Sequence, residues 1–355
     1  MRTRCLASLL LSLPLAATGA WAQLAPSPDA PPVSHAPAQP EDDQPVAQYK
    51  IQSSLVDLFF TVKDKSGQLV PHLGQADCSV EEDKQPQKWR NFTAETDLPL
   101  TLGIMLDTSG SQQYVLPLEK QAGSQFLEQV LRKKDQAFVL SFDVNVDLLQ
   151  DFTNSARQLS RSMDKAEINT AGGNGAAGIP GLGGGTIPTQ GTPKGTLLYD
   201  AIYLATNEKL SQETGRKALI ILTDGDDQGS RYKIQEAIAA AQRSNAVIYV
   251  ILIADTGFYN GFNLGYSGYS AAKKLSEESG GRLINVGNNG KKLEQAFQQI
   301  QDELRTQYIG TYVPTNTKLD GTFRHVALNC GEGIHVQVRK GYFAPSPDQS
   351  GNGGQ

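Results

Sequence analysis

Asp107, Ser109 and Ser111 occupy alternate positions of Asp107-Thr108-Ser109-Gly110-Ser111, directly after the apolar run Leu102-Gly103-Ile104-Met105-Leu106. One carboxylate and two hydroxyls are hard oxygen donors, suited first to Mg²⁺ and also to Mn²⁺ or Ca²⁺. Two later segments offer groups of the same kind. Thr196 precedes a helical pattern in Gly195-Thr196-Leu197-Leu198-Tyr199-Asp200-Ala201-Ile202, and Asp224 follows the apolar run Leu219-Ile220-Ile221-Leu222-Thr223. The hydroxyls are neutral, so only two carboxylates would offset a divalent cation, and the site would stay electrophilic. In a metal-free protein the same residue types serve as ordinary strand-end turns and caps. Asp200 is read as support for the start of its helix, and Asp226 and Asp227 as a solvated acidic turn.

These side chains are far apart in sequence, so the elements around them must bring them together. Strand signals fall at 98–106, 136–142, 146–152, 218–222, 247–253 and 282–286. Helical periodicity occupies 114–131, 155–165, 196–210, 233–244, 271–279 and 291–307. Alternation of this kind predicts an α/β fold, a Rossmann-like doubly wound and mostly parallel sheet covered on both faces. The short turn around Asn145 makes 136–152 a hairpin, hence one antiparallel edge. In open sheets of this class, ligands bind beyond the C-terminal strand ends. Asp107, Thr196 and Asp224 are therefore expected on one edge.

Together the three segments resemble the von Willebrand factor A domain and its metal-ion-dependent adhesion site, over 98–306 and in the right order along the chain. Asp107, Ser109 and Ser111 match the family's Asp-x-Ser-x-Ser loop, Thr196 its second loop and Asp224 its third. The resemblance implies that these five residues hold a divalent cation, Asp224 acting through a coordinated water. Thr196 would enter or leave direct contact with the ion as a ligand binds. A partner protein would offer an acidic side chain to the metal, giving cation-dependent binding or adhesion rather than catalysis. The segments Val56-Asp57-Leu58-Phe59-Phe60-Thr61-Val62-Lys63-Asp64-Lys65-Ser66-Gly67 and Arg339-Lys340-Gly341-Tyr342-Phe343-Ala344-Pro345 also resemble a von Willebrand A-related group common in acidobacterial secreted proteins.

The chain ends have a different composition. Residues 1–22 have the layout of a secretory signal: Arg2 and Arg4, an apolar core at 6–15, and Ala20-Trp21-Ala22 before Gln23. That core is short of the ~20 residues that span a bilayer, and no transmembrane segment is expected. Residues 23–47 read as a disordered Pro/Ala-rich linker and 346–355 as a disordered tail. Loss of Arg2 and Arg4 takes the formal net charge from −5 to −7, which argues against nucleic acid as a partner. The segments 48–97 and 307–345 show strand alternation without helix caps, with a hairpin-like turn at Lys65-Ser66-Gly67-Gln68 and strands at 307–313, 323–328 and 335–339. They are read as one small β-domain built from both flanks, with two separate decorations as the alternative.

Export leaves two cysteines, Cys78 and Cys330, one in each flank, and an oxidising compartment would join them as a disulfide, with two separate thiols as the alternative because sequence alone does not fix the register of either segment. The Gly-rich insertion 171–195 lacks a phosphate-cradle pattern and reads as a mobile loop beside the metal edge. A second loop carries Phe258, Tyr259, Phe262, Tyr266 and Tyr269 among glycines and asparagines, a mix found at recognition surfaces. Local packing over the sheet would use the same aromatics. No Gly-x-Ser-x-Gly or His-Glu-x-x-His pattern occurs, and the four histidines are scattered. A metal-dependent hydrolase and a metal-free structural envelope protein are the rival readings to an exported binding protein of the periplasm or extracellular space.

Overall fold

Residues 102–106 are apolar without alternation because both faces of their strand are covered, the usual condition of a central parallel strand. The structure, a computed structural model, describes residues 55–94, 98–169, 195–253 and 268–346. All of these belong to one compact unit, Gln52–Gln355. The chain opens with β1 (Val56–Lys63), β2 (Ser79–Glu82), β3 (Gln85–Gln87) and β4 (Trp89–Ala94). The central strands follow as β5 (Leu100–Asp107), β6 (Gln136–Phe142), β7 (Val146–Thr153), β8 (Arg216–Thr223), β9 (Ala246–Leu252) and β10 (Leu283–Asn285). Between them run α1 (Leu116–Val130), α2 (Ala156–Met163), α3 (Leu198–Leu204), α4 (Ile234–Arg243) and α5 (Gly268–Ser279), and α6 (Gly290–Arg305) comes after β10. The chain returns through β11 (Tyr308–Tyr312), β12 (Phe323–Asn329), β13 (His335–Gln337) and β14 (Gly341–Phe343).

The central sheet has the order β10-β9-β8-β5-β6-β7. Its pairings are parallel except β6–β7, the expected antiparallel edge. Period-two alternation divides each strand between two cores. Leu102, Ile104 and Leu106 face α1, α2 and α6, whereas Met105, Leu219 and Ile221 face α3, α4 and α5. The fold class is the expected α/β one, a doubly wound sheet with helices on both faces. Strand order reverses between β5 and β8, which makes their C-terminal ends a topological switch point.

The flanks do form joint sheets, each drawing strands from both ends of the chain: β13-β1-β11-β4 and β14-β12-β2-β3. A shared core with Leu58, Phe60, Val80, Tyr308, Tyr312, Val326 and Tyr342 lies between them. Asp83 and Lys84, both in the left-handed region, turn the β2–β3 hairpin. Cys78 and Cys330 form a disulfide at the end of the β2–β12 ladder, one position beyond the Ser79–Asn329 pair. Among the described residues no helix is long and apolar enough to cross a membrane.

Two local readings need correction. The expected helix at 196–210 starts only at Leu198, loosens into a π-turn at Ala205–Lys209 and ends as a 3₁₀ turn. Thr206 is the cause we identify, since its hydroxyl donates to the carbonyls of Ile202 and Tyr203 and competes with the helix ladder. The turn at Lys65–Gln68 exists, with the Asp64 carboxylate accepting from Ser66 and Gln68, but only a single bridge, Lys63 to Leu69, follows it.

Candidate metal centre

Asp107 ends β5, and Asp224 directly follows β8, so parallel pairing of the two strands brings both acids to the same sheet edge. Both are buried. The Asp107 carboxylate accepts from the Ser109 N–H at 3.0 Å on one oxygen and from the Thr223 hydroxyl at 2.6 Å on the other. The Ser109 and Ser111 hydroxyls share a hydrogen bond of 3.0 Å. Gln112 closes the circle: its amide N–H₂ donates to Ser111 Oγ at 3.3 Å and to Asp224 Oδ2 at 3.1 Å. Thus four of the five sequence-predicted residues meet in one hydrogen-bonded group that spans both turns.

Thr196 reaches this edge through its neighbours. It forms a bridge with Gln228, in the loop after Asp224, and the next residue, Leu197, donates its N–H to the Asp143 carbonyl. Asp143 in turn accepts from the Thr108 hydroxyl at 2.8 Å, which fastens the second loop to the first. Asp200 and Asp227 lock the third loop to α3: Asp200 accepts from Tyr232 N–H, and Asp227 from Tyr199 N–H and the Ser230 hydroxyl. Asp227 is therefore a structural brace rather than a merely solvated turn residue.

Buried acids of like sign act on one another at this edge. Burial, and then the charge of Asp224, pushes the Asp107 carboxyl up to about 7, while hydrogen bonds from Ser109 and Thr223 pull it the other way. Glu119, in the first turn of α1, is fully buried and is raised well above the usual carboxylate range by desolvation and then by Asp107 and Asp224. Neither of its oxygens has a hydrogen-bond partner. Among the described residues no three His, Cys, Asp or Glu side chains are grouped closely enough to hold a metal by themselves. A site here must recruit hydroxyls, and the donor set of two carboxylates with neighbouring serines fits a hard divalent ion on that condition.

Gln112, Thr223 and Glu119 were not singled out by the sequence. Glu119 did leave a signal, as a lone acid on the apolar helical stripe of Val115, Ala122 and Phe126. Of the aromatic group, Tyr269 opens α5 and is 46% exposed. Its neighbour Gly268 packs directly on the Asp224–Gly225 backbone. Phe258, Tyr259, Phe262 and Tyr266, and most of the Gly-rich insertion, lie outside the described residues.

No family profile and no curated protein sequence matches this chain. Among solved structures, the conserved hypothetical protein BatB from Bacteroides thetaiotaomicron is similar at 18% identity, with a TM-score of 0.40 over 57% of this chain and 98% of that one. The von Willebrand factor domain of the type V pilus tip protein Mfa5 from Porphyromonas gingivalis is similar at 12% identity and TM-score 0.38, over 58% of this chain and 94% of that one. Proximal thread matrix protein 1 from the mussel byssus, in a form with a zinc-occupied adhesion-site motif, is similar at 14% identity and TM-score 0.43. That match covers 63% of this chain and 49% of the mussel protein. These likenesses are loose, and the reading of the site rests on its own residues.

Proposed function

We propose that this chain is an exported, non-enzymatic binding protein whose α/β domain captures an acidic group of a partner protein through a divalent cation. Asp107, Ser109, Ser111, Thr196 and Asp224 would hold the ion, Mg²⁺ in the first instance and Mn²⁺ or Ca²⁺ as alternatives. One observation carries the reading: two buried acidic turns, bonded to each other through Thr223 and Gln112, converge where the strand order reverses. When bound, the cation supplies an electrophilic centre that a partner's carboxylate can complete. The chain's own task is to pre-arrange the oxygens. Thr223 orients Asp107, and Asp143 with Gln228 draws the Thr196 loop to them, while the Gln112 amide occupies Ser111 and Asp224 until an ion displaces it.

Export is supported by the disulfide, since such bonds persist in oxidising compartments. A leader at 1–22, a linker at 23–47, a β flank at 48–97, the A domain at 98–306, a second β flank at 307–345 and a tail from 346 complete the proposed organisation. Tyr269 and the aromatics preceding it would form the contact rim, since Tyr269 is exposed beside the Asp224 turn.

Calorimetric titration of the purified protein with Mg²⁺ or Mn²⁺ is expected to show saturable binding that Asp107→Ala abolishes. Absence of binding at millimolar cation would end the proposal. A captured partner should be retained only with cation present and should elute unchanged, whereas metal-dependent turnover lost in Asp107→Ala would favour a hydrolase. Tyr269→Ser should weaken capture at an unaltered melting temperature. A large drop in melting temperature would instead assign Tyr269 to packing.

A further inference from the structure

Glu119 lies one turn after Val115 and one turn before Ala122, on the stripe of α1 that packs against the sheet through Val115, Ala122, Phe126 and Val130. Position and neighbours call for an apolar side chain there. Instead the stripe carries a carboxyl that is fully buried and has no hydrogen-bond partner on either oxygen. An unpartnered buried carboxyl is among the most expensive groups a core can hold. The favourable field of a helix N-terminus is modest and does not offset that cost. The charges acting on Glu119 aggravate it, because Asp107 and Asp224 have the same sign. Glu119 thus feels two acids of like sign from a core position where it has no partner of its own, and a cation at the Asp107–Asp224 edge is the group that would relieve it.

We propose that Glu119 is a positioning residue of the metal centre: a third carboxylate, set behind the direct ligands, whose charge deepens the negative potential at the ion. The proposal rests on the metal-binding reading above and specifies the charge of that site. Among the described residues no three acids are close enough to hold an ion directly, which assigns Glu119 to the supporting layer rather than to the ligand set. A site built with three negative charges discriminates by cation charge, holding divalent and trivalent ions far more firmly than monovalent ones. That property gives Glu119 a signature that a packing role lacks.

The test compares the wild type, Glu119→Gln, Glu119→Leu and Asp107→Ala, each titrated with Mg²⁺ by calorimetry and with Tb³⁺ by luminescence. Asp107→Ala should lose both cations. Glu119→Gln should weaken Mg²⁺ binding by about 10- to 100-fold, the usual effect of removing a supporting group. Because the lost attraction scales with cation charge, the logarithmic loss for Tb³⁺ should be about one and a half times that for Mg²⁺. Metal-free melting temperatures should stay level or rise, most of all in Glu119→Leu, which matches the stripe and keeps the test open should the amide variant fold poorly. Affinities in the folded Glu119 variants within fivefold of wild type for both cations would overturn the proposal while leaving the metal site standing. A wild type that takes neither cation would defeat the underlying reading, and this proposal with it.

Discussion

Gln112 is the residue through which the two acidic turns touch, and its amide behaves like a placeholder. Its N–H₂ group occupies Ser111 and Asp224, two proposed ligands, while its own carbonyl oxygen is buried without a partner. Gln112→Met keeps the volume, removes the orphaned oxygen and releases both ligand oxygens. A net hydrogen bond is worth about 0.5–1.5 kcal/mol. The variant should therefore bind Mg²⁺ about tenfold more tightly at nearly unchanged stability, since no amide must be displaced first. Calorimetry decides, and weaker binding would make Gln112 a support instead of a competitor. At this scale the meeting of Asp107, Ser109 and Ser111 was legible because Asp-x-Ser-x-Ser is a local pattern with fixed spacing. Gln112 and Thr223 were not, because each acts across the β5–β8 pairing, on a residue more than a hundred positions away. Glu119 was legible in principle, as an acid breaking an apolar stripe whose spacing already marked it as buried.

Elements place the third loop as firmly as residues do. Gly225 has φ +84°, and a Cβ there would lie 2.6 Å from the Gly268 carbonyl oxygen. A Cβ on Gly268 would in turn strike the Asp224 carbonyl oxygen and the Asp226 N–H region. The first residue of α5 is thus pressed against the Asp224 turn, backbone to backbone, with no flexible side chain to give way. Gly268→Ala should cost about 1–3 kcal/mol of stability, the usual price of overpacking. It should also weaken Mg²⁺ binding, because Asp224 moves with its turn. Thermal melts and titration together check this, and an unchanged affinity would separate the α5 contact from the site. Strands β5, β6, β8 and β9 and helices such as α1 and α6 were readable from periodicity because they are long and largely buried against the sheet. The π-turn after α3 was not, since it arises from one threonine's choice of carbonyl. Nor was the division of the flanks into two sheets, because strands such as β3, β13 and β14 span only three residues each and show too little alternation to assign.

At the scale of the whole molecule, the two flanks and the α/β domain are interlocked. Glu303, at the end of α6, is buried between Lys63 of β1 at 2.7 Å and Arg282 beside β10 at 2.6 Å. Arg339, also buried, donates to the Gln242 carbonyl in the last turn of α4 and to the Asp57 carbonyl of β1. In the β-domain, Glu82 accepts from Tyr312 and Tyr342 at 2.8 Å each and pairs with Arg324, so one carboxylate ties four strands. The Cys78–Cys330 bond closes 252 residues of separation, and the chain-entropy argument allows on the order of 5 kcal/mol for so long a loop. Replacing both cysteines by serine should lower unfolding free energy by about 2–5 kcal/mol, seen as a lower denaturation midpoint that reductant no longer shifts. An unchanged midpoint would mean that the interlocking contacts alone confine the flanks. The same bond also determines how the molecule bears mechanical load. Tension applied between the segment before Val56 and the segment after Phe343 runs along the covalent backbone to Cys78, crosses to Cys330 and leaves. The whole of 98–306 hangs outside that line, a side loop that a pull on the chain ends cannot extend while the bond is intact. A force applied at the Asp107 edge would take the opposite route, entering through the α/β domain and leaving by the flanks. A pull on the chain ends is thus carried by the flanks and the bond, and it reaches the α/β domain only through side-chain contacts such as those of Lys63 and Arg339.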